Sequence, residues 1–151
     1  MARLDNRFMA VFMITLFIAI MLLGCSRESS SQNTFNIGQF ENAMKNKGYS
    51  YEITDVSQDF LPTTRKRMII DDEAIDLYLF DSHTKMEEEA SYIDSDGCSY
   101  RNGSESVEVS WVSFPHFYKK GSLIVLYVGE DGNIISDLED IFGEQFAGYM
   151  P

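Results

Sequence analysis

Residues 123–128 read Leu123-Ile124-Val125-Leu126-Tyr127-Val128, apolar at every position. A strand with one face in water alternates apolar and polar side chains. A short run that does not alternate, and is rich in aliphatic residues, needs cover on both faces. This segment therefore belongs in the middle of a sheet, with other elements packed above and below it.

Upstream, Val107–Val112 is rich in β-branched residues and reads as a strand. The aromatic and basic stretch Ser113–Ser122 connects it to the central run. Pro115 stiffens this connection, Lys119 and Lys120 fall at its tip, and Gly121 permits an unusual backbone angle on re-entry. Downstream, Asn133 is positioned to cap a helix whose wide apolar stripe is Ile134, Ile135, Leu138, Ile141 and Phe142. Gly143 stops it, and a short tail runs to Pro151.

Nearer the start, Asn36 and Gln39 have the spacing of a capping box, with Ile37, Phe40 and Met44 on one helix face and Gly48 as the stop. Tyr49, Tyr51 and Ile53 alternate with polar residues, a strand pattern. Ser57–Thr64, with Pro62, is a loop. Arg67–Ile70 and Ala74–Phe80 are strands joined tightly at Asp71-Asp72-Glu73. Asp81 or Ser82 caps a second helix with the stripe Met86, Ala90 and Ile93, and Glu87-Glu88-Glu89 is its solvated side. Asp94–Ser106 is polar and reads as a loop. The order is α-β-β-β-α-β-β-α. Short links favour antiparallel neighbours, so the class is α+β: one small domain, with a mixed or antiparallel sheet of about five strands and helices packed on it.

Before this domain, Arg3 and Arg7 precede an uncharged apolar run from Phe8 to Leu23. A positive start, an apolar middle and a small residue at the exit make a secretory signal pattern, and the run is short for a permanent span. Leu22-Leu23-Gly24-Cys25 resembles the lipobox of bacterial lipoproteins: an aliphatic residue, a tolerant position, a small residue, then cysteine. The resemblance implies cleavage between Gly24 and Cys25, a diacylglycerol thioether on Cys25 and acylation, as by palmitate, of the new amino terminus. One chain holds weakly, whereas two hold stably. The expected organisation is a signal peptide over 1–24, a lipidated cysteine and flexible tether over 25–35, and the α+β domain over 36–151. The location is the extracytoplasmic face of the cell membrane.

Loss of residues 1–24 removes Arg3, Arg7 and Asp5, so the formal charge of −12 becomes −13. Such a surface repels nucleic acid and anionic headgroups, which leaves the lipid to do the holding. With Cys25 lipidated, Cys98 is the one remaining thiol and no internal disulfide forms. Asp96 beside Cys98 disfavours its thiolate.

Trp111 to Gly129 reads WVSFPHFYKKGSLIVLYVG, and Gln145-Phe146-Ala147-Gly148 follows near the end. These stretches resemble small uncharacterised lipoproteins of Gram-positive bacteria that carry WV-x-x-PHFYKKG-x-x-IVLYVG and a QFAG-like tail. The resemblance covers roughly Phe40–Gly148 and implies a shared domain. It brings no catalytic or binding residue with it. On physical grounds the aromatic connection is a candidate recognition surface: Trp111, Phe114, His116, Phe117, Tyr118, Lys119 and Lys120. His116 has two readings, a structural residue hydrogen-bonded to loop backbone or part of a ligand site.

The two histidines, His83 and His116, sit in no H-E-x-x-H, and paired-cysteine metal motifs are missing. Asp94-x-Asp96-Gly97 resembles half a calcium loop, but Tyr92 and Gly103 would fall where its first and last ligands belong. No nucleophile elbow, phosphate loop or dinucleotide fingerprint occurs. Arg65-Lys66-Arg67 reads as a solvated strand edge. No metal and no cofactor are expected. The leading function is a non-enzymatic binding or accessory module for an envelope protein or cell-wall component. The alternative is a small envelope enzyme acting on cell-wall material, with His116 and a nearby carboxylate as acid and base. A deep polar cleft holding both would favour the enzyme, and a shallow aromatic face would favour the module. Mass spectrometry of the mature product is expected to find residues 1–24 removed and a diacylglyceryl group on Cys25. An unmodified sulfur behind an intact leader overturns the anchored reading.

Overall fold

The computed structural model describes residues 34–149. The leader, the lipobox and most of the tether lie outside that range, as do residues 150 and 151. Helix α1 (Ile37–Asn46) opens with the expected capping box: the Gln39 N–H donates to Asn36 Oδ1 at 3.3 Å and the Asn36 N–H donates to Gln39 Oε1 at 3.0 Å. Strands β1 (Glu52–Val56), β2 (Thr64–Ile70) and β3 (Glu73–Leu79) follow. Next come α2 (His83–Ala90), β4 (Ser99–Arg101), β5 (Ser106–Glu108), β6 (Pro115–Lys120) and β7 (Leu123–Val128), then α3 (Gly132–Phe142) and β8 (Ala147–Gly148). Six strands form one sheet in the order β1-β2-β3-β7-β6-β8, and β4 and β5 form a separate ribbon. Every pairing is antiparallel. The α+β class and the antiparallel alternative both hold.

The central run does what its composition demands. β7 lies between β3 and β6, and its side chains alternate between two cores. Leu123, Val125 and Tyr127 face Phe40 and Met44 of α1 and Ile134, Leu138 and Phe142 of α3. Ile124 and Leu126 face Met86 and Ala90 of α2, Tyr100 of β4, and Phe60 and Leu61 from the loop before β2. At about 1.5–3 kcal/mol for each fully buried large aliphatic side chain, this strand anchors both layers.

Several local expectations change. Residues 115–120 are a strand, not a connection with lysines at its tip. β6 pairs with β7 from Pro115↔Val128 to Lys120↔Leu123, and Gly121-Ser122 makes the turn. β7 needs a hydrogen-bonding neighbour on each side, and PHFYKK can supply one because its lysines find partners. Lys119 Nζ meets Glu87 at 2.5 Å and lies over the Phe146 ring, and Lys120 Nζ donates to the Ile141 carbonyl at 2.7 Å. Pro115 opens the strand, the position that proline tolerates. Of Val107–Val112 only the first residues join a strand, β5, which pairs with β4 from the stretch read as a loop. Helix α3 is capped by Asp131 rather than Asn133, with Oδ1 accepting from the N–H groups of Asn133 and Ile134. Phe35, assigned to the tether, belongs to the domain: its ring meets Phe142 edge-on at 5.5 Å.

The charged stretches are also used inside. Arg65 and Arg67 do not face water at an edge, since β2 is flanked by β1 and β3. They grip Asp76, which is 7% exposed: Arg65 Nη2 at 2.6 Å, Arg67 Nε at 2.8 Å and Arg67 Nη2 at 2.9 Å. Glu89 is buried as well. It accepts from the Tyr100 hydroxyl and pairs with Lys85, so only part of Glu87-Glu88-Glu89 is solvated.

At the β6–β7 turn, Gly121 has φ +62°, and a Cβ there would lie 1.9 Å from the Phe35 carbonyl oxygen. That oxygen accepts from the Ser122 N–H at 2.9 Å, tying the start of the domain to the hairpin. Gly121→Ala is expected to cost more than about 2 kcal/mol, since the left-handed conformation alone costs about 1–2 kcal/mol for a residue with a Cβ. Urea unfolding of the variant against the parent chain measures it.

Candidate functional site

Alternate residues of β6 face α3: His116, Tyr118 and Lys120. α3 ends at Phe142, and Gly143, at φ +92°, turns the chain back toward β6. The tail then pairs with the outer edge of β6 at His116↔Gly148 and Phe117↔Ala147, and the Tyr149 N–H donates to the Pro115 carbonyl at 2.8 Å. Gly148 makes this approach possible, since a Cβ there would stand 2.1 Å from Pro115 O. Between the end of α3, the start of β6 and the returning tail lies a cleft of about 870 Å³.

Its wall is apolar, made by Ile135 and by Phe114 stacked on Tyr149 at a ring separation of 4.0 Å. Its rim carries Glu130, Glu139, Asp140 and Glu144, and no lysine or arginine is among the residues that line it. Its floor is His116, 4% exposed, with Gln145 beside it. The hydrogen bonds around the imidazole fix the position of the Nδ1 hydrogen. A backbone carbonyl only accepts, so the contact between the Gln145 amide and Tyr149 O must be made by the amide nitrogen. That orients Gln145 Oε1 toward His116 Nδ1, 2.9 Å away, and an oxygen there requires Nδ1 to carry the hydrogen. In the neutral ring Nε2 is then a bare acceptor, and it is buried without a hydrogen-bond partner.

Two residues along, the Tyr118 hydroxyl is likewise buried and unpartnered. Burial, helped by the nearby Glu139 carboxylate, pushes Tyr118 up to about 12. The ring of Tyr127 stacks beneath His116 at 6.1 Å. Its hydroxyl donates to Glu73 at 2.9 Å and accepts from the Asp131 N–H at 3.0 Å, bracing the turn that starts α3. Burial pushes Tyr127 up to about 12, with the Glu73 carboxylate adding to the rise and the Asp131 N–H working against it.

Of the residues singled out on sequence, Phe114 and His116 line the cleft and Tyr118 lies next to them. Trp111 does not: its Nε1 donates to the Gly97 carbonyl at 2.8 Å and its ring packs on Phe60. Phe117 is buried on the opposite face, and Lys119 and Lys120 are committed to Glu87 and Ile141. The expected surface is therefore divided by the alternation of β6. Glu139, Glu144, Gln145 and Tyr149 escaped the sequence reading. Gln145 stands in the QFAG-like tail, the one signal that pointed toward it. The structural reading of His116 is half met, since it is hydrogen-bonded, but to a side-chain amide and through one nitrogen only.

Cys98 is half-buried. Burial, with Asp94 and Asp96 adding to it, pushes its thiol up, which matches an unreactive residue. No family model, no curated protein and no solved structure matches the chain.

The unpartnered tyrosine gives a prediction of unusual sign. A buried polar group left without a partner costs about 1–3 kcal/mol, so Tyr118→Phe is expected to hold or raise stability by up to about 1 kcal/mol. Calorimetry of the variant checks this, and a clear loss would reveal a partner for the hydroxyl.

Proposed function

We propose that the chain is a lipid-anchored module on the extracytoplasmic face of the cell membrane, held through Cys25, which binds an envelope protein or cell-wall component in the cleft between α3 and β6 without transforming it. The observation that carries this reading is the pairing of His116 with Gln145. General acid–base work by histidine is helped by a carboxylate on the far nitrogen, which stabilises the imidazolium as it forms. An amide oxygen orients the ring but supplies no such charge. The stacked Phe114–Tyr149 pair adds an aromatic contact surface, half open to solvent, of the kind that recognition sites use.

A second reading has one observation in its favour. His116 shares its cleft with Glu139 and Glu144, so the ingredients of an envelope hydrolase are present in one place. Neither carboxylate is hydrogen-bonded to the imidazole, whose one partner is Gln145. This ranks the enzyme second.

Proximity crosslinking in cells, comparing the parent chain with Cys25→Ala and with His116→Ala, separates the two. Recovery of one envelope component, lost in both variants, is expected. Turnover of cell-wall material by the purified protein, abolished in His116→Ala, would reverse the order.

A further inference from the structure

We propose that the cleft between α3 and β6 takes a primary organic ammonium group, its nitrogen held by the carboxylate rim and donating to His116 Nε2, with the attached apolar frame against Phe114 and Tyr149. This rests on the reading of the cleft as a binding site and adds the chemical class of what enters it.

Four features of the same cleft agree on the sign and type of ligand. No basic side chain lines the cleft, and of its carboxylates only Asp140 has an ion-pair partner, Lys47, so an anion would enter against the charge of Glu130, Glu139 and Glu144. Ile135, Glu139 and Asp140 of α3 and the capping Gly143 line the cleft, and the carbonyl end of a helix favours a cation. No basic residue of α3 stands in its last turn, although Lys120 reaches one carbonyl there, that of Ile141. The buried Nε2 of His116 has no hydrogen-bond partner, and with the Nδ1 hydrogen given to Gln145 it is an acceptor in the neutral ring. The Phe114–Tyr149 pair offers an aromatic face, on which a cation bound to a hydrocarbon gains further attraction.

The same features exclude neighbouring chemistries. A metal ion needs several converging ligands, and no group of three His, Cys, Asp or Glu able to hold one occurs among the described residues. A quaternary ammonium would satisfy the charge and the aromatic wall but has no N–H for Nε2. A neutral alcohol has the donor without the charge. A primary ammonium meets all the requirements.

The mature, detergent-solubilised lipoprotein would be titrated calorimetrically with four probes sharing one ring: benzylammonium, benzyltrimethylammonium, benzyl alcohol and benzoate. Benzylammonium is expected to bind most tightly, by about fivefold over the trimethyl analogue, the scale of one net hydrogen bond. Benzoate is expected not to bind. Glu139 is exposed, so Glu139→Gln leaves the fold intact, and it should weaken benzylammonium by about fivefold. His116→Phe should remove the preference for benzylammonium over its trimethyl analogue, with near-UV dichroism confirming the fold. Benzoate or benzyl alcohol binding as well as benzylammonium, or Glu139→Gln without effect, overturns the ammonium proposal while leaving a binding cleft. Failure of all four probes to bind overturns both.

Discussion

A strand whose side chains are apolar but for one tyrosine hydroxyl can be stable only where water reaches neither of its faces, and β7 imposes that condition on the whole domain. Both neighbours in the sheet must pair with it to satisfy its backbone, which recruits β3 on one side and β6 on the other. Both faces must be covered, which recruits α1 and α3 to one and α2, the β4–β5 ribbon and the loop around Phe60 to the other. The neighbours are less uniformly apolar, so their polar groups are brought under cover and must be matched there. Asp76 of β3 meets two arginines of β2, and Glu89 of α2 meets Tyr100 and Lys85. A buried charge is tolerated only in such company.

The cleft follows from the limits of that cover. β6 has β7 along one edge, and along the other only the two residues of β8, so the sheet ends there in a short, protected edge. α3 stops at Phe142 and leaves the start of β6 to the returning tail. His116 is buried by that tail, yet only one of its nitrogens is satisfied by it. The Gly148 approach and the Gln145–Tyr149 contact set the ring, and α3 brings its carboxylates to the opposite rim. A site of this kind is a by-product of packing that has kept its unpaired acceptor. Unpaired buried groups are costly enough that they call for an explanation in terms of what they await.

The charge of the chain and the proposed lipid anchor fit one another. An acidic domain gains nothing from an anionic membrane surface, so acyl chains would carry the attachment. The acidic rim of the cleft is only partly balanced: Lys47, which also pairs with Asp137, meets Asp140, while Glu130, Glu139 and Glu144 have no ion-pair partner among the described residues.

Local sequence was enough for much that is governed by residues a few positions apart, although the Asp131 cap and the β4–β5 ribbon escaped it. The capping box of Asn36 and Gln39, the stop at Gly143, the turn after Ile70 and the central place of residues 123–128 all rest on short-range hydrogen bonding or on side-chain alternation, and all were readable. What depended on partners distant in sequence was not. Whether PHFYKK is a loop or a strand hinged on Glu87 and on the Ile141 carbonyl being there for its lysines. Whether Arg65 and Arg67 face water hinged on Asp76 across the hairpin. The cleft hinged on two separate segments, around residues 114–116 and 129–149, meeting at one sheet edge. Periodicity records which face of an element is apolar, but the identity of the side chain that will answer a given charge is decided only when the chain closes on itself.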